Sequence, residues 1–266
     1  MATDTRAEII RAQNVTKRFG KLVAVDNVSY LLRENEVAGI IGSNGAGKTT
    51  FFNLLTGFFP PDQGSIFYKG QDVTRMSPQQ RVGLGLMRTF QLTATFDNLN
   101  VVDNLVLAFF RAHRKSSLLR LLLNTCKAQR NDPKIVEALQ TFDLHDLRDR
   151  LVKNLSLGEK RRLEIAMAVL TEPRVLLLDE PLAGLSESEI QSVLNVLRQR
   201  VGRQTILIVE HKISHVQHFL QRLTVMHDGR IIADGGCEET LSDPEVRKSY
   251  WQIDTTGEQQ DRTVVA

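Results

Sequence analysis

A glycine-rich turn, GSNGAGKTT at residues 42–50, lies between the apolar run Val37–Ile41 and the apolar stretch Phe51–Leu55. A short apolar run ended by glycine reads as a buried strand, and Thr49–Thr56 reads as a helix that stops at Gly57. A strand, a turn of this spacing and a helix make the phosphate-loop arrangement. Gly42, Ser43, Asn44, Gly45, Ala46 and Gly47 would direct successive backbone N–H groups into one concavity, because glycine lets the backbone approach an anion closely. The following helix offers its N-terminal N–H groups and dipole to the same anion. Lys48 would bridge the outer phosphates as a point charge. The Thr49 hydroxyl would ligate magnesium, with Thr50 beside it. The plain alternative is a glycine turn that binds nothing, so the rest of the chain must supply the partners of a phosphate site.

A phosphate loop needs a second source of oxygen for its magnesium. The run VLLLDE, residues 175–180, supplies one: four apolar residues form a buried strand and Asp179 emerges at its C-terminal end. In an open parallel sheet that end carries the ligands. Asp179 is therefore expected to hold magnesium through its water shell, and Glu180 to orient or deprotonate an attacking water. An apolar strand ending in Asp-Glu is also a common capped turn, and it gains meaning only beside the loop at Gly42.

The rest of the pattern predicts an α/β fold. Residues 9–32 alternate apolar and polar around a charged turn at Lys17–Lys21 and read as a hairpin of antiparallel strands. Ser65–Tyr68 reads as an exposed strand. Helical periodicity covers Val101–Phe110, Ser117–Thr125, Lys134–Phe142, Lys160–Leu170, Glu187–Arg200 and Ile213–Gln221. Strand signals return at Val175–Leu178, Thr205–Val209, Leu223–His227 and Arg230–Ala233. Strands alternating with helices imply a largely parallel sheet wrapped by helices, with a helical insert as a second lobe. The 266 residues are 42% hydrophobic and 24% charged, enough apolar material for one sizeable core. A net charge of +3, with no long block of like charges, argues against a nucleic-acid tail. Cys126 and Cys237 are far apart and read as free thiols. The N-terminal stretch lacks the apolar core of a signal peptide, and Arg120 breaks the leucines of 118–123, so no run approaches a membrane span.

The segment that decides the family is LSLGE at residues 155–159, followed by KRRLEIAMAVL. It opens a helix, so Ser156 and the first N–H groups form another anion site. Together with the loop at Gly42 and the Asp179-Glu180 strand, this segment resembles the signature of the ATP-binding subunits of ABC transporters. The resemblance covers about Ile9 to Trp251. The usual signature has two glycines and a glutamine, whereas this chain has Leu157 and Glu159, keeping Ser156 and Gly158. The resemblance implies a P-loop NTPase (RecA-like) core with an antiparallel β hairpin region and an inserted α-helical subdomain. It divides the chain into one ATP-binding domain over 9–253, with the core at 9–91 and 171–253, the helical subdomain at about 92–170, and a disordered tail at 254–266.

The resemblance also assigns roles. Phe19 matches the aromatic that stacks on adenine, with Val25 nearby, although Phe19 also reads as a strand-edge core residue. Gln91, in RTFQL, matches the glutamine that touches magnesium and water and links to the membrane subunit. Ala183–Ser186 matches the loop that crosses to the partner subunit, where the family often ends in aspartate. His211 matches the histidine that contacts the terminal phosphate. Ser156, Gly158 and Glu159 would meet the ATP of a second subunit, so the resemblance implies a head-to-tail homo- or heterodimer sandwiching two ATP molecules, each with Mg2+. The implied partners are transmembrane permease subunits and, indirectly, a periplasmic or extracellular substrate-binding protein. The implied place is the cytoplasmic face of the inner (plasma) membrane, with no nucleic acid bound.

Within the family the chain is most similar to the ATP-binding subunits of branched-chain amino-acid importers, through RTFQL, LSLGEKRRLEIA, DEPLAGLS and the ending DPEVRKSYW. The apolar stretch opening the helical lobe, residues 92–110, reads as a groove for a short permease helix or as ordinary lobe core. ATPase subunits for urea or short amides and for lipopolysaccharide export share much of this pattern. Three rivals stay open on sequence grounds: an ABC ATPase that acts on DNA or ribosomes, a phosphate-loop kinase, and a metal site built from His211, His215 and His218 on one helix face.

Overall fold

The computed structural model describes residues 6–89, 95–113, 129–211 and 213–251. Gln91, the expected helix at Ser117–Thr125, Cys126 and the tail at 254–266 lie outside them. Strands β1 (Glu8–Phe19) and β2 (Leu22–Arg33) form the expected antiparallel hairpin. Strand β3 (Val37–Gly42) is buried at every position, as a strand covered on both faces must be. It runs through the glycine loop into α1 (Lys48–Thr56), which Gly57 ends in the left-handed conformation. Strands β4 (Gln63–Tyr68) and β5 (Gln71–Asp72) complete an antiparallel sheet in the order β2-β1-β4-β5. The expectation of an exposed strand at Ser65–Tyr68 is corrected, since Ile66 and Tyr68 are buried against the core.

Two elements follow that the periodicity does not announce, α2 (Pro78–Gly83) and the three-residue strand β6 (Leu86–Arg88). Arg81 of α2 is 1% exposed, and its guanidinium donates to the carbonyls of Leu54 and Leu55 at the end of α1. A cation satisfying the last carbonyls of a helix also meets the negative end of its dipole. Burial pulls Arg81 down to about 10.

Helices α3 (Val101–His113), α4 (Pro133–Thr141) and α5 (Leu157–Leu170) pack on one another. Then come β7 (Val175–Asp179), α6 (Glu187–Arg198), β8 (Thr205–Val209), α7 (Ile213–Val216), β9 (Arg222–His227), β10 (Arg230–Gly235), α8 (Cys237–Ser242) and α9 (Pro244–Trp251). The helix expected over Ile213–Gln221 is a single turn. The chain must reverse there, because the Gln221 N–H already donates to the Val37 carbonyl as β9 enters the sheet.

The second sheet runs β10-β9-β3-β8-β7-β6, parallel except for β10. Alternation along its strands builds two cores. Ile41, Leu176, Leu178, Ile206 and Ile208 face the layer holding α3 to α6. Ile40, Val175, Leu177, Leu207 and Val209 face α1 and the antiparallel sheet. Most apolar residues of 101–110 join the first core, while Phe96, just ahead of them, is 54% exposed. No helix among the described residues is long and apolar enough to cross a membrane.

Candidate functional site

The C-terminal ends of β3, β7 and β8 deliver the site. After β3 the chain turns through Gly42 and Gly47. A Cβ at Gly42 would lie 2.2 Å from the Met226 carbonyl oxygen, and one at Gly47, where φ is +94°, would lie 2.3 Å from that of Ala24. Both positions therefore require glycine. Ser43, Asn44, Gly45 and Ala46 form the turn between them. Lys48 is 5% exposed, and its Nζ donates to the carbonyls of Gly42 at 2.7 Å and Ser43 at 2.9 Å. Burial holds the Lys48 ammonium below its ordinary value, opposed by the carboxylates of Glu180 and Asp179.

A groove of about 570 Å³ lies over this loop. Asn44 to Thr50 form its floor, Phe19, Leu22, Val23 and Ala24 one wall, and Glu180 and His211 the other. Phe19 is 47% exposed and meets Phe59 edge-to-face at 5.6 Å, so it is an exposed ring at the groove rather than a core residue. Val25 is a correction: it is 0% exposed, inside the core. Lys17 pairs with Val25 but the next residue, Arg18, pairs with Val23, so one extra residue on β2 shifts the register and turns Val23 and Ala24 to the groove. A second recess of about 450 Å³, between α4, α5 and α6, has no phosphate loop, and its Lys134 closes on Glu172 at 2.7 Å.

Asp179 ends β7 with 0% exposure. Its Oδ2 accepts from Arg88 Nη2 at 2.8 Å, while Oδ1 has no hydrogen-bond partner among the described residues. Arg88 also bonds Asn53 and Thr56 of α1 and lies over the Phe52 ring. A buried carboxylate oxygen without a donor fits a cation or its water shell, and the Thr49 side belongs to an exposed residue on the groove floor. These residues fit magnesium. Glu180 follows with φ +47°, a left-handed conformation that is costly for a glutamate. Its Oε1 accepts from His211 Nε2 at 2.9 Å. His211 is thus held against Glu180. His215 lies 4.0 Å from Glu187, and His218 follows the end of α7. Among the described residues no group of three His, Cys, Asp or Glu could share a metal ion, so the three-histidine site is not formed.

Ser156, Gly158 and Glu159 are not among the residues lining the Lys48 groove. Ser156 caps α5, its Oγ accepting from the Glu159 N–H at 3.2 Å, while Glu159 Oε2 accepts from the Ser156 N–H at 2.7 Å. Glu159 is therefore folded back on its own helix as a capping box. Leu157 stands 64% exposed. A Cβ on Gly158 would lie 2.7 Å from Glu189 Oε1, so this glycine lets two helix N-termini meet.

Glu189 is the counterpart cap of α6. Its Oε2 accepts from the Ser186 N–H at 2.9 Å and from Ser186 Oγ at 2.8 Å, with Arg162 Nη2 3.4 Å from Oε1. The Ser186 backbone bond, then its side chain and the Arg162 charge, hold the Glu189 carboxyl below its ordinary 4.5. A lowered folded-state value means that the unfolded chain binds the proton more readily. The cap therefore stabilises fully above the ordinary range and fades as pH falls through the lowered value. Glu189→Gln is expected to flatten the acid side of a stability-against-pH curve measured by urea unfolding. An unchanged acid slope would exclude this cap as a contributor.

Arg88 and Arg161 lie within the stretches RTFQL and LSLGEKRRLEIA, but motif spacing assigns neither a role, and both are cations with side chains 8% and 5% exposed. Glu210, 4% exposed, accepts from the Leu182 N–H at 2.9 Å and the His211 N–H at 3.1 Å, joining the loop after Glu180 to His211. Only its place beside His211 could have flagged it.

The family model described as "ABC transporter" matches residues 25–183. The chain is 36% identical to the high-affinity branched-chain amino acid transport ATP-binding protein LivG of Salmonella typhimurium, over 91% of this chain and 97% of that one. It is also 36% identical to the lipopolysaccharide export system ATP-binding protein LptB of Acidithiobacillus ferridurans, over 92% and 97%. A crystal structure of the ADP conformation of an ATP-binding cassette of an ABC transporter superposes with a TM-score of 0.75 at 32% identity, covering 92% of this chain and 99% of that one.

Proposed function

Because this chain belongs to the ABC transporter family and is an ATP hydrolase, we propose that it is the ATP-binding subunit that powers an importer of branched-chain or other neutral amino acids. The observation that carries the nucleotide chemistry is the convergence of Lys48, Glu180 and His211 on one groove, with Asp179 beside them. We read residues 9–253 as one ATP-binding domain, with 92–170 as its helical subdomain. In the groove, Phe19 stacks on the base, and residues 42–50 and Lys48 hold the phosphates. Thr49, Asp179 and Gln91 (outside the described residues) would hold magnesium, which would neutralise charge on the outer phosphates when bound. Lys48 gives up its bonds to Gly42 and Ser43 to meet the anion. Glu180 accepts the proton of the attacking water, and His211 keeps that carboxylate aimed. Most of the rate comes from positioning and charge stabilisation.

Ser156 and Gly158 stand away from this groove, which supports a site completed by a second ATP-binding subunit, the same or a similar chain. Phe58 and Phe96, 50% and 54% exposed, support docking to a transmembrane permease at the cytoplasmic face of the inner membrane. A substrate-binding protein then acts from the far side, and nucleic acid has no part. The cargo rests on the likeness to LivG. Uptake of labelled leucine by cells of the source organism should fall when Glu180→Gln replaces the normal chain at equal protein level. Unchanged uptake in cells lacking other leucine carriers would sink that cargo. Lipopolysaccharide export is the second reading, favoured by the equal identity to LptB, and it predicts an envelope defect with normal uptake.

A further inference from the structure

The carbonyls of Asp179, Glu180 and Pro181 all meet one side chain. Arg161, in the second turn of α5, is 4% exposed. Its Nη2 donates to the carbonyl oxygens of Asp179 and, at 2.7 Å, of Glu180, and its Nε donates to that of Pro181 at 3.4 Å. Its Nη1 donates to Glu164 Oε2 at 2.6 Å, so the charge is compensated within the same helix. From the opposite side the Glu180 N–H donates to the Val209 carbonyl, and the Leu182 N–H to Glu210. Glu180 sits inside this clamp with φ +47°, a conformation that its surroundings must impose. A planar guanidinium can reach several acceptors at fixed angles, which a lysine ammonium on a flexible stem cannot.

We propose that Arg161 is a positioning residue that holds Glu180 in its left-handed turn. The helix that Ser156 opens thereby sets where the Glu180 carboxylate points. A change in φ of Glu180, the torsion that the bonds to the Asp179 and Glu180 carbonyls hold, would swing the side chain and carry Oε1 away from His211, so loss of the fork disorders the base without touching the phosphate loop. This inference rests on the role proposed for Glu180.

The test compares ATP turnover, affinity for a fluorescent ATP analogue and melting temperature in the full chain. Arg161→Met, Arg161→Lys and Glu164→Gln are each made with and without Glu180→Gln. Arg161→Met is expected to lower kcat on the order of 10²-fold, as a misplacement of about 1 Å does, with affinity near that of the unmodified chain. Its melting temperature falls because the buried pair with Glu164 is broken, and Arg161→Met combined with Glu164→Leu should recover the melting temperature without the rate. Arg161→Lys should recover part of the rate, and Glu164→Gln, which keeps the fork, should retain most of it. With Glu180→Gln already present, Arg161→Met should add no further loss. An equal fold-loss in both backgrounds overturns the proposal, as does a rate that recovers together with the melting temperature when Glu164→Leu accompanies Arg161→Met. A slow Glu180→Gln beside a fully active Arg161→Met removes Arg161 alone. A Glu180→Gln chain that turns over normally removes the Glu180 reading and this route with it. Should Arg161→Met not accumulate folded, Arg161→Lys carries the same comparison.

Discussion

Glu180→Gln should bind ATP as well as the unmodified chain and hydrolyse it about 10²–10⁴ times more slowly, the usual contribution of a positioned general base. The amide has the size of the carboxylate and can keep one hydrogen bond to His211, now 2.9 Å from Glu180 Oε1. The backbone of the turn is held by Arg161, Val209 and Glu210 irrespective of that side chain. Only the capacity to take a proton is lost. Nucleotide titration and phosphate release, measured on the same preparation, separate the two properties. Binding should also persist in the form that closes the dimer, so light scattering with ATP should detect a longer-lived dimer than in the unmodified chain. Normal phosphate release would exclude Glu180 from the chemistry and turn attention to His211.

Asp179→Ala should fail for a different reason, and its effect should be visible before any nucleotide is added. Asp179 and Arg88 form an ion pair with side chains 0% and 8% exposed. Breaking a buried pair by removing one member costs about 3–5 kcal/mol. Replacing both with apolar residues of similar size costs much less. Asp179→Leu combined with Arg88→Met is therefore expected to recover most of the urea midpoint lost in Asp179→Ala, yet to remain inactive with magnesium and ATP. Equal midpoints for Asp179→Ala and the unmodified chain would show that Arg88 gains nothing from this contact. Recovery of stability without activity would separate the two duties of Asp179, one oxygen for the fold and one for the cation.

The parts of this molecule that the sequence announces are those in which one physical rule acts alone. Residues 37–42 and 175–179 are strands because apolar runs of that length between turns have few other outcomes, and the glycines of the loop follow from close backbone approach. The rest depends on context. Strand β6 has three residues, Leu-Met-Arg, and forms only because β7 offers a free edge. Ile213–Gln221 has helical periodicity, but its last residue is needed to begin β9. Val25 matches a motif position, yet one bulge in β2 sends it inward. Within the site, Lys48, Asp179 and Glu180 follow from motif spacing, and His211 follows from the family resemblance. Arg88, Arg161 and Glu210 do not, because a buried charge is legible only once its partner, far away in the chain, is known. Glu159 is the mixed case: its position matches a signature, while its contacts are those of a helix cap.

The strand that carries the phosphate loop has a consequence for how the chain must be made. Strand β3 lies between β8 and β9, its only sheet neighbours, which begin at Thr205 and Arg222. While the polypeptide is being synthesised, the loop therefore leaves the ribosome long before either neighbour exists. At ordinary translation rates that interval is on the order of ten seconds. Throughout it, a row of bare backbone donors and acceptors beside apolar side chains needs shelter, because local contacts cannot satisfy them. A fragment ending short of β8 holds every residue of the loop and has no place to display it. Nucleotide can find its loop in place only after β8 and β9 have been built.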